Sequence, residues 1–424
     1  MGDKQAAAFA GSSRSRGRAE HGKARLRRVG ALSVAGVVAV AGTAVALAGT
    51  AVAGTNGRGT TTIDNYLSSV ATIPHTAQAF AVGQVSELSG RTGSSSDLIE
   101  HWKNGKWVTM KPPASAQLQS VLTGVWAASA KDVWAVGSSG PDAQVLHWTG
   151  AAWSAVGIAG LPANVELAAV SGTSSANVWA VGSAFSGNTI DPLELHFNGS
   201  KWSVLHEGGS NISLQSVAAT SAKQAFALGS NSRGGSVALR FNGSAWKTIP
   251  LPKASSTYFL NALSARGGEA WFVGSEATGT KQVPVPFALL RKGSAWHVMK
   301  PPKPKHGTFP VLVSVLDLGN VVWASGTMTT NGGRSIAAFT EKFVNGKWAV
   351  GHFPPAHSGT TVSALGGDSI RNLWAVGSFP LGKICASSYS PVSFHFTGAW
   401  RKFTMPGGKV AGGALLAAPK VPTC

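Results

Sequence analysis

One short motif returns seven times along this chain, and it limits the possible folds more than any other feature. It joins an aromatic residue to small or branched residues and a glycine. The copies are FAVG at 80–83, WAVG at 134–137, WAVG at 179–182, FALG at 226–229, WFVG at 271–274, WASG at 323–326 and WAVG at 374–377. A second element follows each copy: an apolar stretch, a glycine and then Trp107, Trp153, Trp202, Trp246, Trp296, Trp348 or Trp400. A third apolar segment precedes each copy, such as LQSVAAT at 214–220 or TVSALGG at 361–367. A regular period near 50 residues marks a repeat architecture built from one supersecondary unit.

A single unit reads as four short strands. From Leu214 they are LQSVAA, AFALGS, VALRFNG and AWKTIP, separated by turn-forming TSAKQ, NSRGG and NGS. In the third, Val237, Leu239 and Phe241 alternate with Ala238, Arg240 and Asn242, the two-residue period of a strand. Asn242-Gly243 is a hairpin signal. One four-stranded sheet cannot bury both of its faces, but sheets stacked around an axis can, and closing the ring protects the edges. The expected fold class is therefore all-β: a seven-bladed β-propeller of four-stranded antiparallel blades, preceded by an N-terminal hydrophobic export helix. The propeller is expected over 66–407, with blades near 66–113, 119–160, 166–210, 214–252, 259–303, 311–355 and 361–406. Recurrence assigns packing roles to Phe80, Trp134, Trp179, Phe226, Trp271, Trp323 and Trp374, and to the seven tryptophans of the second element.

These vWAVG and lhWnGsaW repeats resemble those of exported actinobacterial propellers, over about residues 66 to 405. Such proteins are grouped by fold with the central domain of the galactose oxidase and kelch-type propellers. The resemblance implies a propeller and names no single activity.

The N-terminus reads as a cellular address. Residues 1–28 are rich in Lys and Arg, and residues 29–53 carry no charge. ALA at 46–48 and AVA at 51–53 are small-residue cleavage candidates. The segment is either a signal peptide or a membrane anchor long enough to span. Residues 54–65 form a linker, and the remainder is expected outside the cytoplasm, secreted or anchored. Cys385 and Cys424 are candidates for a disulfide, which export permits. It would tie the tail at 408–424 to the last repeat. Residues 1–28 hold +6 of the +19 net charge, and the +13 that remains suits anionic partners such as a wall polymer, an acidic glycan or an envelope protein. Nucleic acid is not expected beyond the membrane, and the ring is expected to be a monomer.

Catalytic signals are sparse. His101, His147, His196 and His395 recur, but each belongs to a different unit and so cannot share one metal. Asp97 with Glu100, and Asp191 with Glu194, are close in sequence but fall away from the inner strands. No metal, no cofactor and no catalytic residue are expected. Two features break the repeat and become ligand-binding candidates. Trp126 lies on an inner strand, where it could stack on a sugar or fill a gap. Lys292, Lys300, Lys303 and Lys305 could form a basic edge. The function expected is a non-catalytic propeller that binds a polymer or a protein. The alternatives are an extracellular carbohydrate-active enzyme and a structural envelope module.

Overall fold

A computed structural model describes residues 61–89, 92–114, 119–205, 211–253, 256–280, 282–305, 308–330, 335–354, 359–381 and 388–407. The export segment, Cys385, Cys424 and the tail from 408 lie outside the described residues. So do residues 54–60 of the expected linker; its last five residues, 61–65, are corrected to the start of the first strand, where they pair with the second. Seven four-stranded antiparallel sheets follow one another, each in simple meander order. Blade 1 runs through Thr61–Thr72, Ala79–Ser89, Thr92–Lys103 and Lys106–Met110. The others occupy 120–155, 165–204, 212–249, 258–299, 308–350 and 361–404. The first strand of each blade packs against the first strand of the next, and that of blade 7 packs against that of blade 1. The chain is thus a seven-bladed β-propeller.

The glycine of the repeated motif answers a bulge in the strand beside it. In every blade the inner strand bulges by one residue, at Ser68, Thr123, Ala168, Gln215, Asn261, Val313 and Ser363. The bulge presses the carbonyl oxygen of an inner-strand residue onto the second strand. That oxygen belongs to Tyr66 at Gly83 and to Val121 at Gly137, each the residue before the glycine's register partner, and a Cβ at either glycine would overlap it. The bulge also aims polar side chains at the next blade. Thr123 Oγ1 donates to the Leu167 carbonyl at 2.7 Å, Gln215 Nε2 to that of Leu260 at 3.0 Å, and Asn261 Nδ2 to that of Leu312 at 2.8 Å. These bonds satisfy inner-strand carbonyls that face a neighbour rather than water.

The repeated aromatics form a clasp between blades. The second-strand aromatic of one blade meets the fourth-strand tryptophan of the next, edge to face. Phe80 meets Trp153 at 5.6 Å, Trp134 meets Trp202 at 5.2 Å, and Trp179 meets Trp246 at 5.4 Å. Trp271 meets Trp348 at 5.6 Å and Trp323 meets Trp400 at 5.7 Å. Phe226 and Trp296 share the apolar cluster between blades 4 and 5. Such pairs contribute about 0.5–1.5 kcal/mol beyond the area they bury. The recurring histidines complete the clasp. His101, His147, His196 and His395 stack on Phe80, Trp134, Trp179 and Trp374 at 3.9–4.2 Å. Their Nε2 atoms bond Gln78, Asp132, Asn177 and Asn372, respectively. Burial, helped by Lys103, lowers the pKa of His101 to about 4.

The ring closes by the same device and shares no strand. Trp374 of blade 7 meets Trp107 of blade 1 at 5.1 Å, and Trp107 Nε1 donates to Ser393 Oγ at 2.8 Å. Asp64 accepts from the Tyr389 amide at 2.7 Å, and Asn372 Nδ2 donates to the Thr76 carbonyl at 3.3 Å.

Candidate functional site

Meander topology gives the ring two unlike ends. One end collects the turns between first and second strands and between third and fourth strands. We call it the turn face. The other collects the remaining hairpin loops and the connectors between blades, and we call it the connector face.

The turn face is built from tight turns with bases at their tips. Ser129, Ser221 and Ser369 end inner strands, and their Oγ atoms accept from the backbone amides of Lys131, Lys223 and Arg371 at 3.2–3.4 Å. A serine hydroxyl capping the amide two residues on is a favoured local turn. The outer turns use left-handed pairs: Asn104-Gly105 has φ of 55° and 76°, and Asn345-Gly346 has φ of 52° and 77°. Both positive angles suit a two-residue hairpin. Lys103 and Lys106 flank the first pair, and Lys347 follows the second. Lys201, Lys247, Arg266, Lys292 and Arg401 complete the set, and all are exposed. Every blade therefore presents at least one cation at this end. The carboxylates there are engaged in the fold. Asp132 bonds His147 at 2.8 Å, Glu269 bonds Lys292 at 3.0 Å, Asp317 caps the Gly319 amide at 2.7 Å, and Asp368 accepts from Asn372 at 3.1 Å.

The connector face is mixed in charge. Exposed Lys111, Arg233, Lys253, Lys303 and Lys305 share it with Asp64, Glu87, Asp142, Glu166 and Asp191. Two adjoining clefts of about 350 and 360 Å³ lie at its rim on blades 2 and 3. Asn164, Phe185 and Gly187 line both, Asp191 closes one, and Glu166 closes the other. Burial raises the pKa of Glu166.

The ligand-binding candidates from the sequence do not converge. Lys292 sits at a turn-face hairpin. Lys300, Lys303 and Lys305 lie past the other end of the outer strand Ala295–Met299, on the connector face. A strand of that length places about 17 Å between them. Lys300 is 3.5 Å from Glu276, whose other oxygen accepts from Ser256 at 2.6 Å. Pro301 and Pro304 are buried beneath the exposed Lys303 and Lys305. The single basic edge is thus corrected to two sites at opposite ends. Trp126 is half-buried in the cluster between blades 2 and 3, and its ring lies against Gly172 of the next inner strand. Leu316 makes the same contact with Gly367 in blade 7. Elsewhere the equivalent position is small: Ala71, Ser171, Ala218, Ser264 or Gly366. The structure therefore uses Trp126 as a space-filler matched to a glycine rather than as an open stacking platform.

The paired carboxylates also separate. Residues three apart on a strand face opposite ways. Asp97 faces blade 2, where Gln144 Nε2 donates to it at 2.8 Å, and burial raises its pKa to about 6. Glu100 lies on the side of Leu98 and Trp102, which pack toward blade 7. Burial there raises its pKa to about 7, against the opposing effect of the Thr109 hydroxyl at 2.9 Å. Asp191 and Glu194 divide between opposite sides of their strand in the same way. Glu341 holds the position equivalent to Glu100, between Phe339 and Phe343 in the core shared by blades 5 and 6. It is fully buried, neither oxygen has a partner, and burial raises its pKa to about 8. In the other five blades this position is Leu146, Leu195, Leu239, Leu289 or Phe394. Among the described residues, no three His, Cys, Asp or Glu side chains gather as metal ligands.

No family model matches the chain, and no curated protein matches it. Solved structures do. YCF48 from Cyanidioschyzon merolae is 15% identical with a TM-score of 0.48, over 72% of this chain and 90% of that one. A fucose-specific lectin from Aleuria aurantia is 15% identical with a TM-score of 0.40, over 69% and 95%. A prolyl endopeptidase is 12% identical with a TM-score of 0.47, over 80% of this chain and half of the other. The likeness is one of fold.

Proposed function

We propose that this chain is an exported, non-catalytic binding propeller that takes a polyanion, such as an anionic wall polymer or acidic glycan, on its turn face. One observation carries the reading: each of the seven blades sets an exposed Lys or Arg at that end, while the carboxylates among them are already bonded. A ring of like charges spaced by the blade repeat suits an extended or flat polyanion better than a small ligand. Its field attracts such a partner over about a Debye length, ~8 Å at physiological salt. Export rests on the basic leader and the uncharged run at 29–53.

The test is retention of the full chain on immobilised dextran sulfate, with neutral dextran as control, over a salt series. Retention on the sulfated matrix alone, lost as salt rises toward about 0.5 M, is the expected result. Equal retention on both matrices, or none on either, would overturn the polyanion reading. The last outcome would leave a protein partner in the envelope.

A further inference from the structure

Two third-strand positions line each blade interface, and at the interface between blades 4 and 5 both are arginine. One lies opposite the second-strand aromatic and holds His in four blades, Leu290 in blade 5 and Lys342 in blade 6. In blade 4 it holds Arg240, the register partner of Phe226. The other lies one step along and is aromatic in every other blade: Trp102, Trp148, Phe197, Phe241, Phe343 and Phe396. In blade 5 it holds Arg291, the register partner of Ala270. Phe226 and Ala270 belong to the same interfacial cluster, so both arginines project into the one seam.

Among the described residues, neither guanidinium is ion-paired with a carboxylate. The ion pairs among the described residues involve other cations, and the nearby Glu269 is held by Lys292 at 3.0 Å. Both Nε–H groups are buried without an acceptor. Arg291 is 8% exposed, lies over the Trp296 ring at 5.1 Å, and donates through Nη1 to the Ser294 carbonyl at 3.4 Å. Arg240 is half-buried, so the seam opens on one side, beside the exposed Lys247. Burial, and then repulsion from Arg240, lowers the pKa of Arg291. Two like charges placed together with open donors are costly unless something negative joins them. Planar guanidinium forks match the oxygens of a phosphate or sulfate.

We infer that Arg240 and Arg291 form an oxyanion site in the seam between blades 4 and 5, which takes a phosphate or sulfate group. The site needs only a small anion, so it stands apart from the polyanion reading of the turn face. Free phosphate and a phosphate or sulfate ester on a larger molecule share the required chemistry.

Thermal unfolding of the full chain tests it, with inorganic phosphate titrated against chloride at equal ionic strength. A saturable rise in Tm of about 2–4 °C is expected. The variant Arg291→Phe restores the residue type of the other blades and should fold. Paired with Arg240→His, it should abolish the saturable rise while leaving retention on dextran sulfate within about 3-fold. A second arm repeats the titration with glucose 6-phosphate, where an equal shift marks a site open to esters and a smaller one marks a site fitted to the free ion. The inference fails if phosphate acts no differently from chloride, or if the double variant keeps the same saturable shift.

Discussion

The two ends of this ring are made from the same seven units, yet they are unlike. On the turn face the links are short and set by strong local rules. A serine caps a lysine amide, or an Asn-Gly pair reverses the chain, and the base projects to the same side in blade after blade. On the connector face the links run longer, as at 156–164, and their composition changes from blade to blade. Charges of both signs share that end. Repetition therefore builds a uniform basic surface at one end and variety at the other. A uniform surface suits a repeating ligand, whereas the clefts beside Asn164 and Phe185 are features of one place.

Charge reversal is the strongest way to break this comparison. Lys131→Glu, Lys223→Glu and Arg371→Glu together should weaken dextran sulfate binding by about 100-fold, near 2.7 kcal/mol. Reversal of Lys300, Lys303 and Lys305 should change it less than about 3-fold. Equal losses from the two triples would erase the distinction between the faces. An interior change sharpens the point. Trp126→Ala removes the wedge against Gly172 and should lower stability by roughly 2–3 kcal/mol, a half-buried site costing less than a core one. Its effect on binding should be negligible, measured at a temperature where the variant is folded.

The smallest effect concerns Glu341. Its folded pKa, about 8, lies above the ordinary value of 4.5. The unfolded chain therefore releases this proton first, and stability declines as pH rises from about 4.5 to 8. Glu100 adds a decline of the same sign, ending near its own value of about 7. Glu341→Leu, the residue of four sister blades, should raise stability at pH 8.5 by about 1–2 kcal/mol and reduce the slope. No change across that range would show that the buried carboxyl is relieved in some other way.

The fold was legible because its determinants repeat. Seven aromatic-to-glycine motifs gave blade number and strand order, since each motif marks a second strand and each following tryptophan a fourth. Why that glycine recurs was not legible. It depends on a bulge in a different strand, which no local pattern announces. The inner position of Trp126 could be counted from the repeat, but its partner Gly172 lies in the next blade. The basic edge was misjudged because closeness in sequence hid the strand between Lys292 and Lys300. The turn-face cations had a signal that went unused. Lys131, Lys223 and Arg371 each stand three residues before a second-strand aromatic, and Lys106, Lys201, Lys247, Lys347 and Arg401 each adjoin a fourth-strand tryptophan. The arginine seam becomes visible only when third strands are aligned by their pairing register.

The most direct measurement is lysine footprinting of the full chain, by acetylation with and without dextran sulfate. Protection of Lys103, Lys131, Lys201, Lys223 and Lys347, with Lys300, Lys303 and Lys305 still reactive, is the expected result. Protection confined to the connector-face lysines, or spread evenly over both ends, would contradict the account.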